Sequence, residues 1–192
     1  MNKQTKKMVG IALLMAMVVV MQFIGGMIPP IGGFTISLVL IPIVVGAAVY
    51  GPDAGAILGA AFGAIVFINC VTGADPGGAM VFQANPVLCF LVVMGKGTLA
   101  GLAAGLVYRL FARRDRYIAM LAAAIVCPLV NTGTFIACML LFFNDVLIAW
   151  AGGTSLVSYI LTGLVLANFV PELLINAAFS PAAVQLTRIA DK

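Results

Sequence analysis

The sequence predicts an all-α fold: a polytopic membrane protein built as a bundle of six transmembrane helices. Three observations predict it. Of 192 residues 64% are hydrophobic and 8% charged, with a mean hydropathy of +1.20. Apolar runs long enough to span a bilayer recur along the whole chain. The few lysines and arginines cluster in a handful of short segments. At this length six spans with short connections fill the chain, so 1–192 is expected to be one membrane domain with no separate soluble part. The net charge of +4 then reads as topology and not as affinity for nucleic acid.

The first element, predicted over 8–24, follows three lysines in MNKQTKKMVGIALLMAMVVVMQF and resembles the start of a signal peptide. The apolar run is long, however, no small-x-small cleavage site follows, and more spans come after it, so it reads as a first helix. Glycines, prolines and charges bound the others at 36–50, 53–69, 86–111, 116–143 and 156–183. With the N-terminus inside, the cytoplasmic segments hold Lys3, Lys6, Lys7, Arg109, Arg113, Arg114, Arg116, Arg188 and Lys192, nine of the ten basic residues. The positive-inside rule therefore puts both termini in the cytoplasm of a cell-membrane protein. The outer connections, 25–37, 70–85 and 144–155, contain Asp75 and Asp145 but no lysine or arginine.

Glycine spacing says how the spans pack. Gly51, Gly55, Gly59 and Gly63 fall every fourth residue on the third predicted helix, and Gly97, Gly101 and Gly105 on the fourth. Backbones can approach closely there, so van der Waals contact replaces the hydrophobic drive that lipid removes. Packing within one monomer is the plainer reading of these stripes than an oligomer interface. The four cysteines, Cys70, Cys89, Cys127 and Cys138, are scattered and have no histidine to join, so they read as packing thiols.

Near the C-terminus NFVPELLIN places Asn168, Glu172 and Asn176 at helical steps of four, on one face of an otherwise apolar helix. Lys96 and Glu172 are the only ionisable residues deep inside predicted spans. A charge at mid-bilayer costs at least about 3 kcal/mol, so such residues face a bundle interior or a wet cavity. Lys96 lies about 15 Å below the outer end of its helix; Asn131 and Asn168 lie about 18 Å below theirs. These groups converge on one level, with Glu172 a turn deeper and Asn176 deeper still, where it ties its helix to neighbours. The candidate substrate-binding residues are Lys96, Asn131, Asn168, Glu172 and Asn85. They frame a pocket between the fourth, fifth and sixth helices, under outer connections that carry Gln83, Asn85, Asn144 and Trp150. The alternative is a buried Lys96–Glu172 ion pair with no ligand, and a pair flooring a pocket would serve both. Pro171 disturbs the last helix and can free the carbonyl of Ala167. The apolar connection GGMIPPIGGFTIS, 25–37, is either a lid over the pocket or a tight crossover.

Parts for catalysis are missing. Without histidine, GxSxG, HExxH or a Walker A loop, and with scattered acids, the chain is expected to be no enzyme and to hold no metal or cofactor. A self-sufficient secondary transporter or a channel stays open, although no repeated filter loop or ring of charge is visible.

One resemblance narrows these classes. Ala12 and Ala16 form an AxxxA step, and IPPIGGFTISLVLIPIVVGAAVYGPDAGAILGAAFGAI looks like helices two and three of the substrate-binding S components of energy-coupling factor (ECF) transporters. ELLINAAFSPAAVQL and the six-helix count resemble the same family. The resemblance implies high-affinity binding of a vitamin or related micronutrient near the outer face. It also implies docking on a transmembrane coupling protein and two ATPase subunits, with Ala12 and Ala16 as the docking surface and the S component tipping over in the membrane to deliver its cargo. Lys96 could hold a carboxylate and Glu172 a cationic ring. The single tryptophan and few tyrosines favour a non-planar acid such as pantothenate.

Overall fold

The computed structural model describes residues 2–27 and 38–190, and every regular element among them is helical. In order these are α1 (Lys3–Met27), α2 (Leu40–Tyr50), α3 (Pro52–Thr72), α4 (Pro76–Ala84), α5 (Pro86–Phe111), α6 (Arg116–Phe142), α7 (Asn144–Ala151) and α8 (Leu156–Tyr159). The last of these runs through a π-helical segment, Ile160–Phe169, into α9 (Val170–Ala190). Five helical stretches are long and apolar enough to cross a membrane: α1, α3, α5, α6 and the continuous run from α8 into α9. The second expected span is present as the shorter α2, whose 11 residues rise about 16 Å. The lid expected over 25–37 falls, beyond residue 27, outside the described residues.

Local chemistry sets the helix starts. Gly51, at φ 98°, turns the chain in a conformation that side chains resist, and Pro52 begins α3 where a missing N–H costs nothing. At Asn85-Pro86 the asparagine Oδ1 accepts the Leu88 N–H at 3.0 Å. Asp115 Oδ1 accepts from Tyr117 and Ile118 N–H at 2.6 and 3.0 Å and starts α6. The connections expected as loops at 70–85 and 144–155 hold α4 and α7. Asp75-Pro76 starts α4 with a proline at the first position, as Asn85-Pro86 starts α5.

The glycine stripes face each other. A methyl group on Gly55, Gly59 or Gly63 of α3 would meet the backbone of Gly101, Gly97 or Val93 of α5, and the converse holds for Gly97 and Gly101. Gly105 sits against Pro52, while Gly51 leaves the stripe to make the turn. Internal packing, not an exposed seam, is what these residues do. Around this contact lies a dry core that includes Leu58, Ala100, Ala104, Ala123 and Val184. A second core, with Val81, Val92, Met139, Leu147 and Leu164, fills the end near α4 and α7. Large apolar side chains such as Phe23, Val87, Leu110 and Leu141 stand exposed around the outside, as a lipid-facing surface requires.

The last long helix changes register. Val170 N–H reaches the carbonyl of Val165, five residues back, at the end of the π segment. Pro171 follows at once. It has no N–H, so the return to α geometry falls where no hydrogen bond has to be exchanged, and the proline withholds a donor from the Leu166–Ala167 carbonyls. The disturbance expected at Pro171 takes the form of a widened, π-helical stretch on its N-terminal side.

Candidate functional site

Between the two cores lies a cavity of about 80 Å³, several times what one water needs. Lys96 reaches it from α5, Asn131 from α6, Asn168 from the π segment and Glu172 from α9. Four of the five residues expected at a pocket therefore line one space. Their convergence follows from where each lies along its helix: three long helices deliver one polar residue each at similar depth, and Glu172 follows Asn168 by a turn.

Asn85 is not among the lining residues; its oxygen is committed to the start of α5. The Asn-Pro pair was the visible signal for that role. Asn176 lies outside the cavity as well. Its Nδ2 donates to the backbone carbonyl of Glu172 at 2.8 Å. That bond braces the turn carrying the carboxylate.

Four further elements contribute to the wall, α7 through Trp150. Gln22 comes from α1, Asn69 and Cys70 from the end of α3, and Asp75 from the start of α4. A recess of about 270 Å³ between α1 and α3 shares Gln22, Asn69 and Asp75 with the cavity, so these polar groups stand between the two spaces. Cys70 and Cys89, read as packing thiols, also touch the cavity, although both are buried. No group of three or more metal-ligating side chains occurs among the described residues.

Aromatic rings make up more of the wall than counts of tryptophan and tyrosine suggested, because phenylalanines were left out of that count. Phe62, Phe135 and Trp150 all line the cavity. The Lys96 ammonium lies 4.8 Å from the centroid of Phe135 and 5.8 Å from that of Phe62, within the range where a ring face attracts a cation. Trp150 is nearly parallel to Phe135, with centroids 6.4 Å apart and planes at 25°. The indole N–H donates to Met80 Sδ at 3.3 Å, joining α7 to α4 at that end of the bundle.

Polar groups inside are deeply buried. Glu172 is 1% exposed, Asn131 4% and Thr132 5%. Asn131 Oδ1 and Thr132 Oγ1 have no hydrogen-bond partner among the described residues. Asn176 Oδ1, outside the cavity, has none either, and such atoms cost about 1–3 kcal/mol each when buried unpaired. Carboxylates at Asp75 and Glu172 act electrostatically on Lys96.

Ala12 and Ala16 do not line this cavity. Both stand on the exposed side of α1, with Leu13 and Val20 beside them, while Val18 and Gly25 turn inward. The same helix that contributes Gln22 to the cavity thus keeps a small-residue surface clear of the bundle.

No characterised protein matched the chain in a sequence comparison. Residues 6–183 match the family model described as the ECF transporter, substrate-specific component. That match covers most of the 192 residues and agrees with the spans and the buried polar cavity: the chain belongs to the substrate-specific components of ECF transporters, membrane subunits that serve uptake.

Proposed function

We propose that this chain captures a vitamin or related micronutrient in the cavity lined by Lys96, Asn131, Asn168 and Glu172, and delivers it with an ATP-driven ECF module. The single observation that carries this reading is that four polar residues, widely separated in sequence, line one space in an otherwise apolar bundle. Buried polar atoms in a membrane protein mark substrate paths more often than structural decoration. The six predicted crossings, counting α2, form one membrane domain over 1–192. Both termini face the cytoplasm, so the cavity lies toward the outer side under α4 and α7.

Partner docking falls on Ala12 and Ala16. A transmembrane coupling protein with two ATPase subunits meets the shallow strip these alanines leave on α1, where small side chains let helices approach closely. Lys96 supports a ligand with a carboxylate end, such as a pantothenate-like acid, because its ammonium is the one basic group among the described cavity-lining residues.

Two measurements test the reading. The protein purified from rich medium should carry a small molecule at near one-to-one, identified by mass spectrometry. Ala12→Trp or Ala16→Trp should leave that binding intact and abolish uptake in cells expressing the whole transporter. Uptake by the chain alone in liposomes under a proton or sodium gradient would instead identify a self-sufficient transporter, and unsaturable conductance a channel.

A further inference from the structure

The contact between α3 and α5 brings two thiols within reach of each other. Gly55, Gly59 and Gly63 meet Gly101, Gly97 and Val93 in turn, so the two helices run antiparallel and pair in steps of four. One further step sets Phe67 opposite Cys89, and the edge-on contact of Phe67 with Phe90, centroids 5.2 Å apart, holds that register. Cys70 stands just under a turn beyond Phe67. It therefore falls beside Cys89, and the two side chains share a hydrogen bond.

Both thiols line the cavity, where Cys70 is 2% exposed and Cys89 0%. A methyl group on Gly78 of α4 would touch Cys70 Sγ and the Asp75 carboxylate together, so α4 seats directly against the pair. The other two cysteines are differently placed. Cys127 lies in the dry core, and Cys138 is about 16 Å further along the same helix, too far for those two to join. No third side chain completes a metal-binding group among the described residues, so the reaction open to two adjacent thiols is to join each other.

We propose that Cys70 and Cys89 are a redox-active pair that a small peroxide converts into a disulfide, tying the last turn of α3 to the first turn of α5. A peroxide is about the size of two waters and fits the cavity beside Cys70. Cys70, the more exposed sulfur, loses its proton and attacks one peroxide oxygen; the O–O bond breaks, hydroxide leaves as water with that proton, and a sulfenic acid remains. Cys89 then loses its proton and attacks the Cys70 sulfur. The S–S bond forms, the S–O bond breaks, and the second hydroxide leaves as water. Two electrons pass from the two thiols to the peroxide, which ends as two waters.

The link shortens a hydrogen-bonded contact to a bond of about 2.0 Å and closes the segment 70–89 with α4 inside it. α3 and α5 are then clamped at both ends, by glycines at the stem and by sulfur at the cavity. With the termini in the cytoplasm, as proposed above, the pair lies toward the outer side, where disulfides persist.

The test uses the full chain in lipid nanodiscs, treated with hydrogen peroxide and then denatured in N-ethylmaleimide so that every free thiol is capped. Peptide mass spectrometry should find Cys70 joined to Cys89 within one chain, with Cys127 and Cys138 capped. The thermal midpoint should rise by about 5 °C, and dithiothreitol, which leaves methionine sulfoxide as it is, should remove both the link and the rise. In Cys89→Ser neither should appear. Should that variant fail to fold, Cys89→Ala takes its place, and the peptide map of the unsubstituted chain needs neither. Four capped thiols in protein whose methionines are oxidised would overturn the pair. So would Cys70 carried on to a sulfinic acid without a link, or a link through Cys127 or Cys138. A Cys70–Cys89 link with no dithiothreitol-reversible rise in midpoint would overturn the clamp.

Discussion

The two halves of the α3–α5 pair differ sharply although they belong to the same helices. Along Gly55, Gly59 and Gly63 on one side and Gly105, Gly101 and Gly97 on the other, backbone lies against backbone and nothing is left between. Past Gly63 and Gly97 the facing residues become Val66, Asn69 and Cys70 on α3, and Lys96, Val92 and Cys89 on α5. The cavity begins there. Small residues bring helices together and exclude ligand; larger and polar ones hold the same helices around a space. A membrane bundle can thus use one helix pair as a rigid stem at one end and a cavity wall at the other.

The largest expected effect tests the stem. Gly59→Leu puts a branched side chain where the backbone of Gly97 lies, so the monodisperse protein should be lost from detergent extracts. Gly59→Ala should lower stability by roughly 3 kcal/mol, read as a fall in thermal midpoint. A folded Gly59→Leu protein would break the comparison. On the cavity side, Lys96→Met keeps an unbranched chain of similar length and removes the charge. It should weaken ligand binding about tenfold to a hundredfold, by calorimetry, with the helical signal unchanged. Unchanged affinity would return Lys96 to a purely structural role.

A smaller effect separates the brace from the wall. Asn176→Leu removes the side-chain bond to the Glu172 carbonyl and should cost about 1 kcal/mol of stability, with affinity changed less than by Lys96→Met. The smallest is Asn85→Ala. Loss of the α5 cap should lower stability by about 1 kcal/mol and leave affinity untouched. If that variant lost affinity instead, the cavity would extend to the start of α5.

Much of the cavity's polar lining was legible because membrane burial makes polar residues informative. Lys96 and Glu172 were conspicuous as charges in apolar helices, and counting rises along three helices put Asn131 and Asn168 beside them. What escaped notice came from elements whose sequence signals are weak or shared with loops. Asp75 sits beside a short helix in a connection read as an outer loop; Trp150, expected on the connection over the pocket, lines the cavity itself. Gln22 and Asn69 lie close to predicted helix ends, where a polar side chain is ordinary. Phe62 and Phe135 look like any lipid-facing or core phenylalanine until the neighbours are known. Asn85 differs for the opposite reason: expected near the pocket mouth, it does not line the cavity and caps α5, as the proline after it signals.

The sequence by itself determined that this chain is an apolar helical bundle, where the long helices lie to within a few residues, and that its glycine faces pack tightly. These properties depend on composition, periodicity and rise per residue, which are local. Only the tertiary structure decided which glycine face met which, that the stem ends in a cavity, and that three aromatic rings and two carboxylates share it with one ammonium. Those facts depend on the rotation of each helix about its own axis and on partners distant in the chain, and a turn of widened helix before Pro171 is enough to re-aim every side chain that precedes it.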